Sequence, residues 1–421
     1  MKYLFTLAAV LAWQFTFAQE RILMLNEGNS QSDNGRITYF EDGRIVSNQW
    51  FRDVNGYKLG DTPNDIISVN DNLLAIGLNT SNIIQFITAE GKAVAATEGV
   101  PNNRQLASDG KYVYVTSFAH EVEVNGSTLT FTKGYVAKID VATYKVVGAV
   151  EVGYEPDGIA CYDGYVFAAN SGGYAFSEDH DYESTVSMID AATMKVARTI
   201  DTGQINLSGV MSQSGKYLCI NSPGDYYDVA AATIIFDCEA AVAGKSDSQC
   251  FVKLDKPSTY NCVSRTGSFY AVGSTFSYNT FSYEYNFMDI GPAKAFASDG
   301  AEGVSESLPG TMVEDFKNIT TPYGIYVNPY TGYIYATDAG EFVSNGLLYQ
   351  WSPEGRLLGS YKVYTNPGHL CALKPEGWTG IDNIAAPQKD SLIYNLQGMR
   401  VSNPQPGQIY IQNGKKIMYT K

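Results

Sequence analysis

The sequence predicts an all-β fold, a seven-bladed β-propeller with a shared closing blade, followed by a small C-terminal β tail. Three observations carry that prediction. Residue usage favours strands: 31 Tyr and 40 Gly in 421 residues, with only 17% charged side chains, where an average soluble protein has about 25%. A strand-rich unit recurs along the chain. One copy of that unit is split between the two ends.

The clearest unit spans 155–203 and reads EPDGIACYDGYVFAANSGGY, a polar loop, then STVSMIDAATMKVARTIDTG. It holds four β runs, Ile159–Cys161, Tyr165–Ala169, Thr185–Ile189 and Lys195–Ile200, separated by turn signals. Its first strand recurs around Ile66, Leu106, Ile159, Val210, Cys262, Ile325 and Leu370, at intervals of 40 to 63 residues. Pro63, Pro156, Pro322 and Pro367 each stand three residues before their anchor. The second strand repeats as LLAIGLN, YVYVTSF, YVFAANS, YLCINSP, FYAVGST and YIYATDA. Four strands at this period is the pattern of a propeller blade.

The N-terminal copy opens on a second strand, Ile22–Asn26, followed by strand runs at 35–40 and 44–50. Its missing first strand lies at 370–373, so the two ends are expected to pair and close the ring. Closure removes sheet edges that an open array would leave sticky. A solenoid has shorter repeats, and neither it nor a pair of sandwiches would divide one unit between the termini.

The ends read differently. Residues 1–19 have the charged, apolar and small-residue regions of a secretory signal. The propeller is assigned 20–374, a linker 375–389, and a β module 390–421 with an Asn413-Gly414 hairpin turn. No apolar run is long enough for a transmembrane helix. The formal charge of −15 disfavours nucleic acid and anionic membrane partners. Export permits cysteine oxidation. Cys238 and Cys250 flank a Gly/Ser/Ala-rich loop between two strand-like runs, and a disulfide is expected there.

The 155–203 unit resembles the repeat of YncE-like propellers, and the resemblance extends over 22–373. The tail, with IYNLQGMRV, PGQIYI and NGKKI, resembles C-terminal sorting-type modules of secreted Bacteroidetes proteins. Among exported Bacteroidetes propellers, the resemblance points to BtuG-like surface propellers, although this chain lacks a lipoprotein Cys. It implies a location in the periplasm, at the cell surface or outside the cell. It also implies capture of a corrinoid (cobalamin-like) nutrient, with an outer-membrane transporter or surface protein as partner. The alternatives are a glycan- or protein-binding propeller and a lactonase-like propeller hydrolase.

Long loops after each second strand and tight turns at the other end mark the loop face as the binding side. Superposing the repeats places Asn64, Arg104, Asp157, Tyr260 and Tyr323 in one ring around the channel mouth, with Asp65 and His369 one position further on. The second-strand ends add Asn26, Asn170 and Asp338, and the loops add Tyr154, Tyr226 and Tyr278. Tyrosine offers an apolar face and one polar handle, which suits rings decorated with amides or hydroxyls. No cofactor, metal site or catalytic residue is expected. The sequence has no GxSxG, HExxH or GxxxxGK[ST] run. His120 and His180 read as solvated loop residues, and SEDHDYES lacks the Gly and final Glu of an EF-hand loop. Mouth carboxylates, among them Asp65, Asp157, Asp338 and Glu27, leave glycoside cleavage open as chemistry.

Overall fold

A computed structural model describes residues 19–277, 282–378, 393–394, 400–401, 408–412 and 415–418. The chain divides into two compact units, up to Glu376 and from Gly377 onward. The first is a seven-bladed β-propeller made of seven four-stranded antiparallel sheets. Blade 1 comprises Pro63–Asn70, Leu73–Leu78, Ile83–Thr88 and Ala93–Thr97. Blade 2 comprises Asn103–Ser108, Tyr112–Ser117, Tyr135–Asp140 and Lys145–Glu151. Blade 3 comprises Pro156–Tyr162, Tyr165–Asn170, Thr185–Asp190 and Lys195–Asp201. Blade 4 comprises Ser212–Ser214, Tyr217–Ser222, Ala232–Asp237 and Phe251–Leu254. Blade 5 comprises Tyr260–Val263, Phe269–Ser277, Ser282–Ile290 and Val304–Ser305. Blade 6 comprises Pro322–Val327, Ile334–Asp338, Leu347–Trp351 and Leu357–Lys362.

Blade 7 closes the ring. Pro367–Ala372 pairs with Arg21–Asn26, followed outward by Arg36–Glu41 and Arg44–Ser47. A second lock reinforces it: the buried Glu20 carboxylate accepts from Asn328 Nδ2 (3.0 Å) and from the Tyr335 hydroxyl, both on blade 6.

Strand position explains burial. Second strands such as Leu73–Leu78 lie between neighbouring sheets and are buried throughout, whereas the outermost strand Leu357–Lys362 alternates half-buried and exposed positions. The apolar core therefore lies between blades. Ile84 and Phe86 of blade 1 pack with Val113, Val115 and Tyr135 of blade 2. Burying a side chain such as Phe86 contributes on the order of 2–3 kcal/mol.

Several local expectations change. Val210 lies before its blade's short inner strand. The strand expected at 44–50 ends at Ser47, and Trp50–Asn55 is helical. The loop between Cys238 and Cys250 contains a helix, Cys238–Val242, and a 3-10 turn, Asp247–Gln249. The Asp237 side chain caps that helix by accepting from Ala240 N at 3.1 Å. The expected disulfide is absent: both thiols are free and buried, and Cys250 Sγ points to the Ser246 carbonyl at 3.3 Å. The capped helix places the two cysteines as separate small apolar residues. The second unit is a four-stranded sheet in the order Arg400–Val401, Ile393–Tyr394, Ile409–Gln412, Lys415–Met418. The Asn413-Gly414 turn and the signal segment lie outside the described residues. No helix among the described residues is long and apolar enough to cross a membrane.

Candidate functional site

The mouth of the ring is shaped by one recurring irregularity. The pairing of first and second strands slips at 63/65, 103/106, 156/159 and 322/324, and again where blade 7 passes from Pro367 to Leu370. A bulge leaves residues unpaired and re-aims them. The released residues include Asn64, Arg104, Asp157, Tyr323 and His369. Just before the inner strands, Thr62, Asn102, Glu155 and Asn366 adopt left-handed φ of +41° to +52°, a conformation that costs a non-glycine residue about 1 kcal/mol or more.

Not all of these side chains are free to meet a ligand. Asp65 accepts from Ile66 N (2.8 Å) through Oδ1 and from Leu106 N of blade 2 (2.7 Å) through Oδ2. Asp157 Oδ2 accepts from Gly209 N (2.7 Å), fastening blade 3 to blade 4. Asn64 Nδ2 donates to the Arg104 carbonyl of blade 2 at 3.0 Å. These polar groups are blade clamps, because each ties its own blade to backbone of the next.

The second-strand ends are more fully committed to structure. Asn26 is fully buried and donates to Thr38 Oγ1 (2.8 Å). Asn170 accepts from Gly153 N and donates to Thr185 and Ser187. Asp338 accepts from Thr320 N, Thr321 N and Gly340 N at 2.8–2.9 Å. Asn26, Asn170 and Asp338, expected to line the mouth, are withdrawn from solvent: Asn170 and Asp338 pin loop segments, and Asn26 braces the neighbouring strand.

Two sectors of the face remain. In blades 2 and 3, the Arg104 guanidinium lies over the Phe118 ring at 4.6 Å, and its Nε is 3.5 Å from Asp157 Oδ1. Lys133 Nζ lies over Tyr154 at 4.6 Å, and the His180 ring stacks on Tyr154 at 4.0 Å. His180 is not a solvated loop residue. Its side chain is 9% exposed, with Nε2 3.3 Å from a Glu155 carboxylate that burial pushes above its usual range. His120 is exposed.

In blades 5, 6 and 7 the rings meet an acid. Tyr260 and Tyr323 have centroids 6.2 Å apart, and Tyr323 meets Phe342 edge-on at 5.8 Å. The Tyr323 hydroxyl donates to Glu27 Oε2 at 2.9 Å. Burial raises the Glu27 carboxyl, while His369, the Tyr323 hydroxyl and Arg104 oppose that rise. Burial alone would lower His369, but its contact with Asp65 (3.4 Å) and the Glu27 charge leave it raised. Tyr226 is 69% exposed on the rim, with Tyr227 and Phe176 beside it in exposure. Tyr278 lies outside the described residues.

Phe118 and Glu155 are missing from the residues that the sequence points to, and Glu27 is named there as a mouth carboxylate but not as a binding residue. Glu27 and Phe118 each stand one residue beyond a second-strand end, and that offset, applied to every repeat, would have found both. Glu155 precedes Pro156, and only the fold brings His180 to it. Among the described residues no group of three or more His, Cys, Asp or Glu side chains is arranged to hold a metal ion.

No family model matches the chain. No curated protein matches it either. Among solved structures it is similar to Kuenenia stuttgartiensis hydrazine synthase, with TM-score 0.52 and 14% identity over 73% of this chain and 88% of that one. It is also similar to a quinonprotein alcohol dehydrogenase-like protein from Bacteroides thetaiotaomicron, with TM-score 0.54 and 13% identity over 85% of this chain and 79% of that one. At such identities the likeness shows the propeller fold alone.

Proposed function

We propose that this chain is a non-enzymatic binding propeller that captures a small molecule on its loop face. The observation that carries this reading is the asymmetry of the two faces. The loop face gathers the bulged ring residues and the exposed Tyr174, Phe176, Tyr226, Tyr227 and Phe342. The other face has tight turns such as 140–143, where Asp140 Oδ1 accepts from Ala142 N, with longer helical connections only in blades 4 and 5 among the described residues. Exposed aromatic area around a polar mouth suits a ligand with broad apolar surfaces and hydrogen-bonding edges. Behind the ring, Asn64 Oδ1 and Thr337 Oγ1 are buried without a protein partner. A partner for such atoms is worth about 1–3 kcal/mol.

A cobalamin-like corrinoid is the specific ligand proposed. It combines a large ring with a fringe of amides, and the resemblance of the repeat to YncE-like propellers, extended by fold-level analogy to BtuG-like surface propellers, supports it. Export to the periplasm or cell surface accompanies this proposal, supported by the signal-like first 19 residues. The test is gel filtration of the full chain with cyanocobalamin. Co-elution of colour with protein is expected; complete separation at saturating ligand would overturn the corrinoid assignment.

A further inference from the structure

The aromatic rings of the loop face divide by what covers them. Tyr364 carries the Arg36 guanidinium at 3.7 Å, Phe118 carries Arg104, and Tyr154 carries Lys133. Among the described residues, no Lys or Arg side chain lies over Tyr260, Tyr323 or Phe342. Those three rings are set at 54° and 77° to their neighbours, so they form walls of a corner rather than a stack. Phe342 is 45% exposed and held at φ +63°, where glycine would be far less strained. Glu27 stands at the same corner. One carboxylate oxygen is taken by Tyr323, and the other, Oε1, makes no hydrogen bond among the described residues.

We infer that Tyr260, Tyr323, Phe342 and Glu27 form a subsite for an organic ammonium group, such as the quaternary or methylated amine of a small ligand. The inference deepens the capture reading by naming the chemistry of one corner of the same face. A cation over aromatic faces is drawn to their negative quadrupole, and a neighbouring carboxylate adds charge attraction. The arrangement repeats what Arg36, Arg104 and Lys133 do elsewhere on the face, with the cation supplied from outside. The net charge of −15 favours approach of a cation. His369 and Arg104 are the cations that face Glu27, and they temper the subsite without covering its rings.

The experiment is isothermal titration calorimetry of the full chain at low ionic strength with choline, and with its uncharged isostere 3,3-dimethylbutan-1-ol. Choline is expected to bind about tenfold or more tightly than the isostere. Glu27→Gln and Tyr260→Ala are each expected to weaken choline about tenfold, with the thermal transition retained. Equal binding of the two probes, no binding of choline, or unchanged affinity in both folded variants would overturn the subsite. Cyanocobalamin co-elution reads the wider rim independently, so a failed corrinoid assignment and a failed ammonium corner give different results.

Discussion

Blades 2 and 3 on one side and blades 5 to 7 on the other present the same residue types to the same face, and use them oppositely. In the first sector every key ring is already covered. Arg104 lies on Phe118, while Lys133 and His180 lie on Tyr154. In the second, Tyr260, Tyr323 and Phe342 lean on one another beside Glu27. An aromatic ring paired with its own cation orders a loop. An aromatic ring paired with an acid is left with attraction to offer. Composition alone cannot separate these cases, because the difference lies in which side chain the fold sets against each ring.

The largest effect expected concerns the clamp beneath the first sector. Asp157→Ala strands Gly209 N and leaves Arg104 without its carboxylate. Denaturant unfolding should show a loss of about 2–3 kcal/mol, with Asp157→Asn recovering part of it. Wild-type stability in the alanine variant would remove the clamp from the comparison.

Next comes charge transfer between the sectors. Arg104→Ala uncovers Phe118 and removes a cation that faces Glu27. Choline affinity should rise a few-fold, and a fall would mean that Arg104 belongs to the binding corner itself.

The pH dependence sharpens the same point. The Glu27 carboxyl is raised, so raising pH ionises it and strengthens its pull on an ammonium. His369 is also raised, and its deprotonation removes a competing cation. Tyr260 and Tyr323 are pushed further above their usual range, so neither reverses the trend. Choline affinity should increase steadily from pH 5 to pH 8; a flat titration would detach Glu27 from the corner.

A smaller effect belongs to the covered sector. Tyr154→Ala removes the His180 stack, at about 1 kcal/mol, and hydrogen exchange should accelerate across 171–184. Unchanged exchange there would show that Glu155 and Glu183 hold the loop without the ring. The smallest effect is Tyr227→Ala. With Tyr227 92% exposed, the melting temperature should not move.

Much of the ring was legible because its signals are local. Alternating and fully apolar runs separated by turn signals recur along the chain, and proline stands three residues before four of the seven anchors. Blade 4 was misplaced at Val210 because its inner strand is only Ser212–Ser214 and is preceded by irregular chain. The segment after Cys238 was misread because its helix depends on a cap from Asp237. The site was legible in part. Superposed repeats point to Arg104, Tyr260, Tyr323 and His369, which the fold gathers around Glu27. The same alignment also chose Asn26, Asn170 and Asp338, whose side chains turn back onto the backbone. Glu27 stands one residue beyond the chosen position, and one residue along an extended chain points a side chain the other way.

The sequence by itself determined the blade period, the ring closed between the two ends, and the face that carries the long loops. Each follows from strand alternation and turn chemistry, which act over a few residues. The tertiary structure alone decided which polar groups clamp neighbouring blades and which face the mouth, because recurring bulges set their direction. It also decided which rings carry an internal cation, since Arg36 meets Tyr364 only where the ring closes and Lys133 meets Tyr154 only where blades 2 and 3 adjoin.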